Sequence, residues 1–112
     1  MPVVIVLGID PGSRRCGFGV VARCGTRLEL VEAGVLAPGP LPMAERLASI
    51  LDGLAGVIDR ARPAEVSVEQ VFSGASARSA LVLGQARGVA LAAAARAGLP
   101  VFEYAPSEVK LA

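Results

Sequence analysis

Val3 to Ile9 is an unbroken apolar run rich in β-branched residues, stopped by Asp10-Pro11-Gly12. It is too short for a helix and reads as a central strand buried on both faces. Cys16 to Ala22 reads as a second strand, in which Gly17 and Gly19 let backbone or ligand come close. Cys24-Gly25-Thr26 is a turn, and Arg27 to Leu36 a third strand with Leu28 and Leu30 on the face opposite Arg27 and Glu29. Strands joined by such short turns predict an antiparallel meander. Past the stiff Pro38-Gly39-Pro40-Leu41-Pro42 connector, the apolar period lengthens. Met43, Leu47, Ile50, Leu51, Leu54, Val57 and Ile58 recur at helical spacing, while Glu45, Arg46, Asp52 and Asp59 face the other way. Pro63 ends that helix.

Glu65 to Phe72 reads as a fourth strand and Gly74-Ala75-Ser76 as a loop. Ser76 or Ser79 caps a second helix running to about Ala97, with Gly98 as its stop and Pro100 just beyond. Val101 to Tyr104 is a fifth strand, and Pro106-Ser107-Glu108 starts a third helix. The order βββαβαβ predicts an α/β fold with a five-stranded mixed sheet: three antiparallel strands, then alternating helices and strands, with helices packed on its faces. The whole of 1–112 reads as a single domain.

Composition narrows the chemistry. With 54% hydrophobic and 19% charged residues, the chain has material for a core and does not read as disordered. A net charge of +1 carries no global signal for nucleic acid, so any such partner must be met by local charge. That charge is ten Arg and one Lys, and Arg suits bidentate phosphate contacts. Two cysteines and no histidine exclude a Cys/His metal cluster. A metal site would have to use oxygen ligands, favouring magnesium, manganese or calcium. Sparse cysteines and an N-terminus without a basic leader suggest the reducing cytoplasm. Gln85, Arg87 and Arg96 within the apolar stretch Ala80–Ala97 argue against a membrane span.

Two carboxylates stand out. Asp10 ends an apolar strand, where a charge costs desolvation energy unless paired or bound to a cation. Its alternative reading is a turn residue bonding its own backbone. Glu69 interrupts the apolar strand Val66–Phe72, on one face with Ser67 and Val71; alternatively it faces solvent. Both strands lie in one small sheet, so the carboxylates can converge. Acids sharing a site repel unless a divalent cation neutralises them. Such a site can bind magnesium, activate water and stabilise phosphodiester cleavage. Arg14 and Arg15, on the loop after Asp10, are placed to meet phosphates or to form a solvated turn tip. Phe72 can stack on an unpaired base or join the core. Gly84, Gly88 and Ala92 line one face of the second helix and admit close approach of the sheet or of a second copy.

Several stretches resemble the RuvC family. Gly8-Ile9-Asp10-Pro11-Gly12-Ser13-Arg14-Arg15 is similar to its first motif and Glu69-Gln70-Val71-Phe72 to its second. Ser79 to Gly88 is similar to its dimer-forming helix, and Leu99 to Pro106 to its fifth strand. The resemblance implies an RNase H-like nuclease that resolves Holliday junctions in DNA recombination and repair. It implies a homodimer that nicks four-way DNA junctions with Mg2+, or with Mn2+ as substitute. It implies that Asp10 and Glu69 are metal-binding catalytic carboxylates and that Phe72 contacts unstacked bases. The implied protein partners are a branch-migration helicase and its junction-binding companion.

Family members continue past Lys110 into a glycine-containing basic loop and a helix with two further acids. Neither feature is matched here, so the C-terminal helix is expected to be absent, cleavage impaired and one apolar sheet face exposed. Cys16 stands where Thr is usual and Phe18 where Tyr is common. Gly74-Ala75-Ser76 lacks the Lys-Asn often found there, leaving Arg78 as the nearest positive charge for DNA. Two other readings compete: a non-catalytic junction-binding or self-associating dimer module, and a nucleotide-binding domain of the actin and sugar-kinase type. The second lacks a further domain to close over a nucleotide.

Overall fold

The computed structural model describes residues 2–70 and 76–104. In chain order the elements are β1 (Val4–Asp10), β2 (Cys16–Cys24), β3 (Arg27–Leu36), α1 (Met43–Ala61), β4 (Glu65–Glu69), α2 (Ala77–Arg96) and β5 (Val101–Tyr104). They form one five-stranded sheet in the order β3-β2-β1-β4-β5. Strands β1, β2 and β3 pair antiparallel, while β4 joins β1 and β5 joins β4 in parallel. The mixed sheet expected from the order of elements is the one observed. The fourth strand ends at Glu69, with Gln70 outside it, and Val71 to Ala75 lie outside the described residues. So does the third helix expected from Pro106.

Helix boundaries have local causes. The α1 helix closes one residue before Pro63, where Arg62 turns left-handed at φ 51° and its N–H donates to the Ile58 carbonyl. Proline cannot continue the hydrogen-bond ladder, and the left-handed residue before it turns the chain toward β4. At the start of α2, the Ser76 hydroxyl accepts from the Ser79 N–H at 3.1 Å. This satisfies one of the amides that a helix start leaves orphaned. Gly98, at φ 74°, follows its end.

Both helices pack on the same side of the sheet. Leu7, Ile9, Val20, Val66 and Val68 meet Ile50, Leu54 and Val57 of α1 and Ala90 and Ala94 of α2 in one buried cluster. Helices packed on the sheet, with one apolar face left exposed, were expected, and topology explains why both helices share a face. The crossovers β3–α1–β4 and β4–α2–β5 both join parallel strands and both move toward the β5 edge. Crossovers of one hand travelling one way lie on one face. Alanines supply the α2 contact, which brings that helix close to the sheet.

The opposite face is not covered by any described residue. Strand β1 is therefore central but fully buried only on its helix side, where Leu7 and Ile9 point; Val4 and Val6 on the other side are half-buried. Leu28, Leu30 and Val35 share that open face and are well exposed, as is Phe102 of β5. A bulge between Val20 and Val21 leaves Val31 without a cross-strand partner, and its side chain is also exposed. At one end of this face Arg23 and Glu65 form an ion pair of 3.0 Å between β2 and β4. On the helix side, Arg60 in the last turn of α1 holds Glu32 of β3.

Candidate active site

Parallel pairing of β1 with β4 sets Gly8 beside Ser67 and Ile9 beside Val68. One step further along that register puts Asp10 beside Glu69, at the same ends of the two central strands. Side chains alternate along a strand, so Ile9 and Val68 point into the core while Asp10 and Glu69 point together onto the open face. The two carboxyls are in hydrogen-bond contact. Asp10 is exposed and Glu69 half-buried.

Around them the sheet is nearly bare. Across β2, Gly17 stands opposite Asp10 and Gly19 opposite Gly8. A methyl group on Gly17 would lie 3.6 Å from the Asp10 Cβ. With Gly8, Gly17 and Gly19 lacking side chains, a flat ligand can approach the carboxylates along the backbone. The loop after Asp10 is held from inside, with Pro11 and Ser13 buried. At Gly12 a Cβ would meet the Arg15 carbonyl oxygen at 2.3 Å, so this tight loop admits only glycine there.

The shared contact changes the chemistry of Glu69. Its hydrogen bond with Asp10, then partial burial, then repulsion by the Asp10 charge raise its carboxyl above the ordinary 4.5. A protonated Glu69 donates to the Asp10 carboxylate, which is how two like groups share one place without a cation. The folded chain therefore binds this proton more tightly than the unfolded chain. The resulting stability is present below pH 4.5 and is lost as pH rises through the raised value. In cation-free buffer the melting temperature should fall across that window. Magnesium, by neutralising both carboxylates, should cancel the fall, and Glu69→Gln should remove it. A thermal melt series in pH with and without magnesium checks this; an identical fall in the Glu69→Gln protein would refute the assignment.

The donor set fits a hard divalent cation, since it is oxygen only and its two acids repel when both are ionised. Among the described residues no third acid, histidine or cysteine joins them in a cluster. Cys16 belongs to the core; burial first, and the Asp10 charge in addition, raise its thiol against a lowering backbone hydrogen bond at Gly12. That keeps it protonated and unreactive.

The other sequence candidates fall in different places. Arg14 and Arg15 are exposed on the loop next to Asp10, and Arg78 is exposed in the first turn of α2. Phe72 lies outside the described residues. Gly84, Gly88 and Ala92 are exposed on the side of α2 away from the core, and a Cβ at either glycine meets nothing within 4 Å. Arg46, expected to face outward from α1, is instead half-buried, with Nη1 donating to Ser13 Oγ at 3.5 Å. The signal was its spacing, since Arg46 precedes Ile50 and Leu54 by four and eight residues on the buried stripe.

The family model described as crossover junction endodeoxyribonuclease RuvC matches residues 6–112. A protein of that name from Anaeromyxobacter dehalogenans (strain 2CP-C) is 83% identical over 109 residues, covering 97% of this chain and 59% of the relative. The chain thus spans 59% of the length of that curated relative. Among solved structures, T. thermophilus RuvC in complex with Holliday junction substrate matches with a TM-score of 0.88 at 38% identity, over 96% of this chain and 66% of that one. The yeast mitochondrial Holliday junction resolvase Ydc2 matches with a TM-score of 0.63 at 14% identity, over 94% of this chain and 54% of that one. At that identity the likeness shows the fold alone, which is RNase H-like. With nearly the whole sequence matched in order, the chain belongs to the RuvC family of crossover junction endodeoxyribonucleases.

Proposed function

We propose that the chain carries the nuclease core of a Holliday junction resolvase, acting on four-way DNA in recombination and repair. The observation that carries this reading is the contact between Asp10 and Glu69 on an open, glycine-floored sheet face. Asp10 and Glu69 would hold magnesium or manganese. When bound, the cation supplies positive charge against the phosphodiester transition state and acidifies water. The chain's part is to fix the two carboxylates and keep the face clear for a DNA strand. In the reaction, water adds its oxygen to phosphorus, one phosphorus–oxygen ester bond breaks, and the leaving oxygen takes a proton. With the cation bound, Asp10 and Glu69 would both be ionised and act as its ligands.

Arg14, Arg15 and Arg78 are exposed cations for backbone phosphates, and Phe72 remains the candidate for an unstacked base. Asp10 and Glu69 by themselves would hold a cation weakly, so magnesium binding by this pair is expected in the millimolar range. The test is nicking of a synthetic four-way junction against a linear duplex of the same sequence. Junction-specific nicks that require the divalent cation support the reading. Equal cleavage of both DNAs would exclude it. A chromosomal DNA substrate supports a cytoplasmic setting. The partners proposed are a branch-migration helicase and its junction-binding companion. No described helix is long and apolar enough to cross a membrane.

One observation favours a self-associating unit as a second reading. Leu81 is 72% exposed on α2, and Gly84, Gly88 and Ala92 continue its outer face. That stripe lets a second copy of the helix approach closely, giving a homodimer with two sites. Gly88→Arg projects into open space in the single chain, so the fold should tolerate it. Sedimentation velocity at micromolar concentration should show a dimer for the unmodified chain and a monomer for Gly88→Arg. Unchanged association in the variant would refute this interface.

A further inference from the structure

On the far side of the Pro11–Arg15 loop lies a cavity of about 480 Å3. Arg14 and Arg15 line it from that loop, Arg46 from the first turn of α1, and Gly39, Pro40 and Leu41 from the connector between β3 and α1. Among the described residues no acidic side chain lines it. Three arginines from two segments some thirty residues apart in sequence therefore share one space, with no acidic residue among the described ones beside them there.

Arg46 adds an independent sign. Its Nη1 donates to the buried Ser13 hydroxyl, while its Nε is shielded from solvent and has no hydrogen-bond partner among the described residues. An orphaned buried donor on a charged group costs free energy unless something accepts from it. The guanidinium edge is a planar fork that fits two oxygens of a phosphate. A phosphate entering the cavity would meet all three arginines that line it and neutralise their charges together.

We propose that Arg14, Arg15 and Arg46 form a phosphate-binding pocket that takes a backbone phosphodiester of the DNA strand beside the one offered to Asp10 and Glu69. This rests on the nuclease reading above and adds a residue, Arg46, and a place for the strand. Arg14 follows Asp10 by four residues, so the loop that ends at the pocket begins at the candidate active site. A strand gripped there is held in register with the carboxylates. Arg46 acts in two ways: it binds the phosphate, and through Ser13 it fixes the loop that carries the other two arginines.

The test is DNA binding as a function of salt for the unmodified chain, Arg46→Gln, Arg46→Lys and Arg15→Gln, in magnesium-free buffer, with junction and linear duplex as probes. Losing one phosphate contact should lower the slope of log affinity against log salt by about 0.9 and weaken binding about tenfold near 0.1 M salt. Arg46→Lys should recover the slope but not the full affinity, because lysine keeps the charge and loses the fork. Arg15→Gln, an exposed position, should repeat the slope change without disturbing the Ser13 contact. Unaltered slopes in a folded Arg46→Gln and in Arg15→Gln would overturn the pocket. Pocket-dependent binding that is equal on junction and duplex would uphold it while sinking the junction reading. Junction preference with unaltered slopes would do the reverse. Inorganic phosphate, followed at the arginine Nε–H resonances in NMR, separates the sources. Shifts at Arg46 with phosphate and with DNA support the proposal; shifts with free phosphate alone, or with neither, overturn it.

Discussion

Asp10→Asn should reduce junction nicking by on the order of a thousandfold or more, the loss expected when several kcal/mol of transition-state charge stabilisation is removed. Asparagine keeps the size of the side chain and can still bond Glu69. It removes one of the two negative charges that would hold the cation. Asp10 is exposed at a strand end, so in magnesium, where the repulsion with Glu69 is neutralised, its replacement should leave the melting temperature nearly unchanged. Magnesium affinity should fall in parallel by about a hundredfold, a loss at the upper end of that seen on removing groups that only support a ligand. Both readouts are needed, cleavage by gel and binding by calorimetry, because a general unfolding would lower each without separating them. A folded Asp10→Asn protein that nicks junctions as fast as the unmodified chain would remove Asp10 from the site.

The second large effect lies in the core. Leu54 is fully buried between α1 and the sheet, in the cluster that also contains Leu7, Val57 and Val68. Leu54→Ala deletes buried carbons and leaves a cavity that the neighbours fill only in part. A loss of about 3 kcal/mol is expected, within the range of leucine truncations. For a domain of this size that lowers the melting temperature by on the order of 10–15 °C. Leu30→Ala is the matched control, since Leu30 is 65% exposed on the open face. Its cost should stay within about 0.5 kcal/mol. Equal destabilisation by the two changes, read by thermal or urea denaturation, would mean that the open face is covered in solution.

That contrast also marks what the sequence could and could not convey. Leu28 and Leu30 alternate with Arg27 and Glu29, and alternation alone assigns the leucines to a core. Which face receives the helices depends on the direction and hand of two crossovers, properties of the whole sheet that no single strand encodes. The apolar stripe of α1 was legible because Ile50, Leu54 and Val57 keep helical spacing. Arg46 was misassigned because its charge outweighed its position on that same stripe. The left-handed Arg62 had no residue-type signal, since glycine or asparagine usually marks such a place. Asp10 and Glu69 stood out as charges on apolar strands, and the expectation that one sheet carries both agrees with the pairing of β1 and β4. Their adjacency could not be read from either strand, because it requires β4 to lie next to β1 in the parallel register observed. The carboxyl contact follows from that register alone.

Strand β3 ends the sheet with ten residues whose outer edge meets no described strand. A long open edge is a template on which another chain can add, and the apolar side chains of Leu28, Leu30 and Val35 would favour such growth. The bulge at Val31 works against it. One extra residue there breaks the two-residue alternation and increases the local twist, so a straight incoming strand loses register midway. Arg27, Glu29 and Glu32, on the other face of β3, would each have to be carried into an edge-to-edge pairing of copies. A single irregularity and three charges thus guard the outermost strand of the sheet against fibrous aggregation.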